Sequence, residues 1–290
     1  MPAWGLDGPW RDRTGFAPNV EQASGLAWIT GYEDLPMIPR GVCDPVGGMH
    51  TIVAIVMALE ERDRTGQGVL VEVPLVEPAL NVAAEQVLEW SAYGELLGRL
   101  ENRGPTACPQ VVLTCQPSTS ESRYERNQIA LAVETDAEWA ALVEWMGAPG
   151  WALGPAFATQ SGRREQEDLI EEKLATFFAS RECDDTVNAL LAAGIPAAPL
   201  VNAHFISPNP QLEARGFFQD FEHPVAGPMR YPDLPFRFSS RPEGLHHGPP
   251  PVMGEHNDAI LAGELGLSPD ELESLRKKKV IGDRPSFEIG

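Results

Sequence analysis

The segment GVCDPVGGMH, residues 41–50, carries the carboxylate best placed to do chemistry. Asp44 precedes a proline and two glycines, at the start of a stretch that predicts a long apolar helix. Helix capping explains Asp44 and Pro45 without chemistry, because aspartate accepts backbone N–H bonds at a helix start and proline suits the first helical position. Capping does not explain Gly47 and Gly48, since each glycine costs a helix roughly 1 kcal/mol relative to alanine. The glycines suggest close backbone approach by another group, while the aspartate alone is still explained as a cap.

Regular elements on both sides of Asp44 predict an α/β arrangement. Apolar residues at helical spacing predict a helix over 19–31, and a mostly apolar run predicts a buried helix over 46–64. A run rich in β-branched residues at 69–77 predicts a strand directly after it, and another helix runs toward Leu100. This order of helix and strand is typical of an α/β domain.

The rest of the chain predicts a small module and a tail. Within residues 103–200, two short strands flank a polar loop and predict a hairpin, and three helices follow. The last of these helices is predicted to stop at Gly194 and Pro196. Residues 201–290 are rich in proline and close with an amphipathic helix, which indicates a segment that wraps over another domain.

Composition excludes several classes of protein. The chain has 290 residues, 43% of them hydrophobic, which is enough for one large domain or two modest ones. Its formal net charge of −20 argues against DNA or RNA as a partner, because phosphate backbones are bound by clustered lysine and arginine. An anionic small molecule is compatible with that charge, because a helix N-terminus or a few arginines bind phosphate locally. The chain shows neither a secretory signal nor about 20 uninterrupted apolar residues, so a cytoplasmic location is expected.

Other reactive motifs are missing from the sequence. It contains no phosphate-binding P-loop, no GxGxxG after a strand, no HExxH and no GxSxG. The histidines suggest no metal site, and we expect no metal and no permanently bound cofactor. The four cysteines, at positions 43, 108, 115 and 183, lack CxxC spacing and predict free thiols. Cys43 lies beside Asp44, but nothing nearby in the sequence would lower its pKa, and a buried structural role is the commoner one.

Six segments in fixed order now carry a resemblance. They are DGPWRDRTGF, CDPVGGMH, ALEERDRTGQGVLVEV, GIPAAPLVNA, ARGFFQDFEHPVAG and MGEHNDAILAGELGL. In order and spacing they resemble the family III CoA-transferases, also called the CaiB/BaiF family, over nearly the whole chain. The resemblance implies an α/β protein with a Rossmann-like large domain on a parallel sheet and a smaller α/β domain. Residues 1–102 would then form part of the large domain and 103–200 the small domain, with 201–290 returning to the large domain or to a partner subunit.

The same resemblance implies the site and its substrates. Asp44 matches the aspartate that attacks the thioester of an acyl-CoA donor, forming an aspartyl anhydride that CoA thiolate captures before the acyl group is exchanged for an acceptor carboxylate. Acyl-CoA and a carboxylic acid are the implied substrates, and no metal or resident cofactor is needed. A small-residue setting lets a thioester carbonyl reach the carboxylate. The residues expected to bind substrate or CoA are Phe16, Gly47, Gly48, Arg103, Gly104 and Gln110. The covering loop of some members is rich in glycine, whereas residues 102–110 hold only Gly104.

Three alternatives to the transferase stay open. Related acyl-CoA racemases carry a histidine before an aspartate where this chain has Phe16 and Ala17, which favours acyl transfer over proton abstraction. The family has a further N-terminal segment with CoA-contacting basic residues, and this chain matches the family only from beyond it. Besides the homodimer of interlocked rings that the resemblance implies, the sequence therefore allows a non-catalytic or truncated subunit that needs a partner chain with that segment. A module that holds acyl-CoA without turnover is less favoured, because Asp44 is retained.

Overall fold

The structure is a computed structural model that describes residues 1–117, 127–240 and 246–284. Its residues form two units, 1–200 and 201–290. Nearly all of the polar loop predicted between the two hairpin strands, residues 118–126, lies outside the described residues.

The first 100 residues form helices around a small apolar cluster. Their elements are α1 (Ala17–Ala23), α2 (Leu26–Ile29), the short antiparallel pair β1 (Gly31–Tyr32) and β2 (Leu35–Pro36), α3 (Cys43–Thr65), α4 (Val76–Val82) and α5 (Ala84–Tyr93). The helix predicted over 19–31 is broken at Gly25, whose φ of 87° lies in the left-handed region. Helix α3 contacts α1 and α4, and the buried cluster between them consists of Val20, Leu26, Cys43, Ala79 and Ala83.

The prediction that the long helix is buried is wrong for the described chain. Only Cys43 and Gly47 of α3 are buried. Its middle carries large apolar side chains that are 59–67% exposed, namely Met49, Ile52, Val53, Val56 and Met57. The sequence pattern measures apolarity on all sides, whereas burial needs a neighbour on each side, and α3 has neighbours mainly at its start. By length and composition α3 could also cross a membrane, a test that core helices of soluble proteins pass as well.

The strand predicted over 69–77 is also wrong. Residues 67–74 lie outside any helix or strand, and α4 begins at Val76. A β-branched run becomes a strand only when another strand accepts its hydrogen bonds. Among the described residues this run makes three hydrogen bonds to the N-terminal segment. Leu6 donates its N–H to the Glu72 carboxylate, and Leu75 and Val76 donate theirs to the carbonyls of Pro2 at 2.9 Å and Ala3 at 3.2 Å.

Residues 103–200 contain the larger core. Strand β3 (Gln110–Thr114) pairs antiparallel with β4 (Gln128–Ala132), which confirms the predicted hairpin, and β5 (Ala197–Pro199) pairs antiparallel with β4 on its other edge. Four helices follow in this part of the chain: α6 (Asp136–Trp145), α7 (Gln160–Glu165), α8 (Glu167–Phe178) and α9 (Cys183–Ala192). Helices α6, α8 and α9 share one core with the sheet, and its fully buried side chains include Ile129, Leu142, Ile170, Leu174, Phe178 and Leu190. No sheet of the described ranges is parallel.

The second unit is built from short elements. It contains α10 (Pro210–Ala214), a hairpin of β6 (Phe218–His223) and β7 (Gly227–Pro232), a π-helical turn (Ala259–Glu264) and α11 (Pro269–Lys277). Arg230 pairs with Asp220 across the hairpin at 2.9 Å, and this ion pair holds the pKa of Asp220 below its usual value. The predicted amphipathic C-terminal helix is present as α11, where Ser268 and Glu271 form a capping box.

Candidate active site at the start of α3

Asp44 lies in the first turn of α3 and is not its N-cap. The cap position belongs to Val42, which makes no side-chain capping bond, so capping does not account for the aspartate. Asp44 is exposed, and its Oδ1 accepts a weak hydrogen bond from the Cys43 thiol at 3.6 Å. The N-terminus of a helix stabilises a negative charge through its unpaired N–H groups and the helix dipole. The arrangement therefore offers a solvent-accessible carboxylate anion at a place that also stabilises an oxyanion.

Helix α1 begins beside this carboxylate. The Cys43 thiol lies 3.9 Å from the Ala17 carbonyl, and a Cβ on Gly41 would lie 4.0 Å from both the Ala17 side chain and the Asp44 carboxylate. Phe16, the cap of α1, is 69% exposed, so its aromatic ring lies at the surface. The starts of α1 and α3 thus bring Phe16 and Asp44 to one part of the surface.

The two glycines of α3 have different surroundings. A Cβ added at Gly47 would lie 2.6 Å from the end of the Leu75 side chain, so any larger residue here would displace that side chain from between α3 and the start of α4. A Cβ added at Gly48 would meet no atom within 4 Å. Close chain packing therefore explains Gly47, and open space beside the helix remains only at Gly48.

Glu21 is a site residue that the sequence analysis missed. It is fully buried on α1, and its Oε1 accepts the N–H of Gly41 at 2.7 Å and of Cys43 at 3.4 Å. Its Oε2 is buried and has no hydrogen-bond partner among the described residues. A signal was present, because Glu21 follows the buried Val20 and lies four residues after Ala17 on the apolar face of α1.

The remaining predicted binding residues form a second group at the base of the small module. Arg103 pairs with Asp168 at 2.5 Å and Glu171 at 2.8 Å, and its pKa is raised, mainly by its hydrogen bond to Glu171. A Cβ on Gly104 would lie 2.5 Å from the Gln110 amide, whose nitrogen donates to the Asn102 carbonyl at 2.8 Å. Arg103 is thus paired with two acidic side chains of α8, and the Gln110 amide nitrogen is bonded to the loop itself.

Side chains of α7 hold this loop by its carbonyl groups. Arg164 donates to the carbonyls of Gly104 at 2.8 Å and Ala107 at 3.0 Å, Arg163 donates to that of Cys108 at 2.9 Å, and Gln160 donates to that of Thr106. Consecutive carbonyl groups fixed in this way make a rigid loop. Such a loop does not have the freedom expected of a mobile glycine-rich cover.

The thiol beside Asp44 is a poor nucleophile. Burial, with Asp44 as the next cause, raises the pKa of Cys43 to about 11. Burial also raises the pKa of Cys108 to about 11 and that of Cys183 to about 12, and it raises the pKa of Cys115. The thiolate is the reactive form of cysteine, so at neutral pH the carboxylate is the better candidate at this site. Within the described ranges no cluster of three or more His, Cys, Asp or Glu residues could hold a metal ion.

We expect the thiols of the native chain to resist alkylation. At pH 8 a thiol with a pKa of about 11 is ionised to about one part in a thousand, and burial restricts access further. Iodoacetamide should therefore label the native chain roughly 100-fold more slowly than the urea-unfolded chain, as followed by intact mass. Raising the pH toward 11 should accelerate the labelling of Cys43. Rapid labelling of Cys43 at pH 8 would instead make it a competitor of Asp44.

Comparison with known proteins gives a consistent result. The sequence model of a family described as CoA-transferase family III matches residues 1–257. The chain is 27% identical to a succinyl-CoA–D-citramalate CoA-transferase of Chloroflexus aurantiacus, with 97% of this chain and 68% of that protein covered. It is 25% identical to a formyl-CoA:oxalate CoA-transferase of Streptomyces avermitilis, with 95% and 69% covered. A succinyl-CoA–L-malate CoA-transferase alpha subunit of Chloroflexus aurantiacus is 25% identical, with 97% and 64% covered.

Solved structures agree with these sequence matches. A CaiB/BaiF family protein from Brucella suis superposes with a TM-score of 0.78 at 26% identity, covering 90% of this chain and 66% of that one. The protein Rv3272 of Mycobacterium tuberculosis has the same fold, with a TM-score of 0.70 at 21% identity, covering 88% and 65%. The chain spans about two thirds of the length of the relatives it matches.

Proposed function

The chain belongs to CoA-transferase family III, and from this membership we propose that it transfers coenzyme A from an acyl-CoA donor to a carboxylic acid. Asp44 is the proposed nucleophile. The observation that carries the proposal is its exposed carboxylate in the first turn of α3, at a position where the capping explanation has failed. The names of the relatives pair succinyl-CoA with D-citramalate and formyl-CoA with oxalate, and we extend this class of small carboxylic acids to the substrates of this chain.

In the proposed reaction the Asp44 carboxyl group forms two anhydrides in turn, one with the donor acyl group and one with the acceptor acyl group. One of its oxygens attacks the thioester carbonyl of the donor, CoA thiolate leaves, and a mixed anhydride forms. The thiolate then attacks the aspartyl carbonyl, which releases the donor acid and leaves an aspartyl-CoA thioester. The acceptor carboxylate attacks the carbonyl of this thioester, CoA thiolate leaves, and a second anhydride forms. The released thiolate finally attacks the acceptor's acyl carbonyl. These steps give the new acyl-CoA and restore Asp44, so a difficult exchange is divided into easier ones.

The residues around Asp44 support these steps in two ways. The N-terminal N–H groups of α3 stabilise negative charge, which includes the oxyanion of each tetrahedral intermediate. The pKa of Cys43, raised to about 11, keeps the neighbouring thiol protonated, so it does not compete for the thioester. Phe16 and Ala17 provide no second acid or base for racemisation.

A transfer assay tests the proposal. The purified protein is incubated with succinyl-CoA or formyl-CoA and with oxalate, L-malate or D-citramalate, and new acyl-CoA species are measured by liquid chromatography and mass spectrometry. The proposal predicts at least one new acyl-CoA that depends on both donor and acceptor. Deuterium incorporation from solvent at the α-carbon, without any transfer, would favour the racemase instead.

We propose in addition that a partner polypeptide covers α3 and the run 67–74. The exposed apolar side chains of α3 form a continuous surface of the kind that marks interaction sites. Residues 67–74 belong to no helix or strand and have the composition of a strand. In this proposal strands of the partner add to this run and build the Rossmann-like parallel sheet of the large domain, residues 1–102. A relative is named as an alpha subunit, which supports an assembly of more than one chain. In this proposal the CoA site is completed by that partner.

The exposed face of α3 is expected to bind an uncharged apolar dye. Nile red fluorescence should rise with the isolated chain, and the double substitution Val53→Glu with Val56→Glu should lower that rise several-fold, because each change places a charge on the face. Val225→Glu is the matched control, since Val225 is 81% exposed but lies in the turn between β6 and β7. Sedimentation shows whether a second copy covers the face. A monomer that does not bind the dye would contradict an open α3 surface.

A further inference from the structure

We infer that Glu21 is a positioning residue that fixes the direction of the Asp44 carboxylate. The inference rests on the proposed function in one respect, namely that Asp44 is the nucleophile. Glu21 lies on α1 and acts on the backbone that leads into α3, across 20 residues of sequence. It does not touch substrate in this account.

The contact geometry explains how Glu21 acts. A single carboxylate oxygen accepts the N–H of Gly41 at 2.7 Å and the longer bond from Cys43 at 3.4 Å. These two residues flank Val42, the N-cap of α3, and Cys43 directly precedes Asp44. The bonds therefore fix the two peptide units that set the angle at which the chain enters the helix.

The backbone before α3 needs such an anchor. Arg40 and Gly41 have φ values of 65° and 91°, so two consecutive residues lie in the left-handed region, which is disfavoured for arginine. Helix α3 follows directly, and its cap residue Val42 makes no side-chain hydrogen bond to the first turn. Strained backbone of this kind persists where its surroundings hold it, and it recurs at functional sites. Glu21 provides two hydrogen bonds to the segment that the cap leaves unsupported.

The burial of Glu21 supports a specific role for its carboxylate. A fully buried carboxylate is costly unless hydrogen bonds compensate it. An apolar residue at this position of α1 would pack beside Val20 without that cost. The carboxylate differs from an apolar residue in its two hydrogen bonds, since Oε1 accepts the N–H groups of both Gly41 and Cys43. Because Oε2 has no partner among the described residues, glutamine at position 21 can keep both bonds through its amide oxygen.

Two substitutions test the inference through the backbone, without reference to turnover. In Glu21→Ala, the amides of Gly41 and Cys43 should exchange with deuterium at least 10-fold faster, and iodoacetamide should reach Cys43 more rapidly. In Glu21→Gln, both measures should stay within about twofold of the wild type, since the acceptor oxygen is kept. Unchanged exchange at these amides in folded Glu21→Ala would overturn the inference, whatever the activity of the chain.

The catalytic consequence is tested with succinyl-CoA as the probe. Glu21→Ala should form the Asp44 adduct roughly 100-fold more slowly, the loss expected of a nucleophile displaced by about 1 Å, with little change in KM. Glu21→Gln should restore most of the rate. Equal losses in both variants would show that the charge of Glu21 matters and would overturn the positioning role. If the wild type forms no adduct with succinyl-CoA or with formyl-CoA while the exchange results hold, the proposed function fails and the structural role of Glu21 stands.

Discussion

Replacing Asp44 by alanine is expected to lower CoA transfer roughly 10³-fold or more, because no other group at the start of α3 can form the anhydride. The backbone of α3 should be unaffected, since Asp44 accepts only a weak bond from the Cys43 thiol and is exposed. The rate of acyl-CoA formation measured with the active donor and acceptor checks this expectation.

The matched control for this substitution is Asp63→Ala on the same helix. Asp63 is exposed near the end of α3, and among the described residues it pairs only with its neighbour Arg62, at 2.8 Å. We expect its transfer rate to stay within about twofold of the wild type, because a surface ion pair contributes little to stability. Equal rates for Asp44→Ala and the wild type would remove Asp44 from the chemistry.

Replacing Arg163 by alanine is expected to lower the free energy of unfolding of the small module by about 2–4 kcal/mol. The Arg163 side chain is fully buried and donates to the carbonyls of Cys108 at 2.9 Å and Phe157 at 3.3 Å. It also bonds Asp136 at 2.8 Å and lies 5.5 Å from the Trp139 ring. Its removal leaves buried carbonyl groups without a donor, and each such group costs about 1–3 kcal/mol.

Urea unfolding followed by tryptophan fluorescence measures this loss. Lys173→Ala is the control, because within the described part of the chain Lys173 pairs only with the exposed Glu172, at 3.0 Å. This substitution should change stability by less than about 0.5 kcal/mol. If the urea midpoint of Arg163→Ala equalled that of Lys173→Ala, the bonds from α7 to residues 104–108 would not contribute to stability. Faster deuterium exchange in residues 104–108 of the Arg163→Ala variant would locate the effect.

Local patterns predicted the hairpin and two of the helices within residues 103–200, while a third predicted helix is divided into α7 and α8. The hairpin of β3 and β4 follows from short apolar runs on both sides of a polar loop. The start of α6 follows from Thr135 and Glu138, which form a capping box within four residues. Helix α9 ends close to the predicted stop at Gly194, whose φ is 77°. Each of these signals involves neighbouring residues, so the sequence alone was sufficient.

Features that depend on distant neighbours could not be predicted in this way. The run 69–77 has the composition of a strand, but strand formation needs a pairing partner. The burial of α3 likewise depends on what covers it, and its composition carries no such information. The reason for Gly47 is the Leu75 side chain, 28 residues later, and the partners of Glu21 are 20 and 22 residues away. The order of six motifs identified Asp44 from the sequence. Only the structure shows that Asp44 is not the cap of α3, because Val42 holds that position.

The most direct test of the account follows the oxygen atoms of Asp44. In the proposed sequence the donor acid leaves with one Asp44 oxygen, and the acceptor carboxylate supplies its replacement. With an acceptor labelled by ¹⁸O in its carboxylate, the peptide that contains Asp44 should gain 2 Da after one turnover, and fragmentation should place the label on Asp44. Transfer that proceeds with no ¹⁸O in Asp44 would contradict the anhydride pathway and the role of Asp44 as nucleophile.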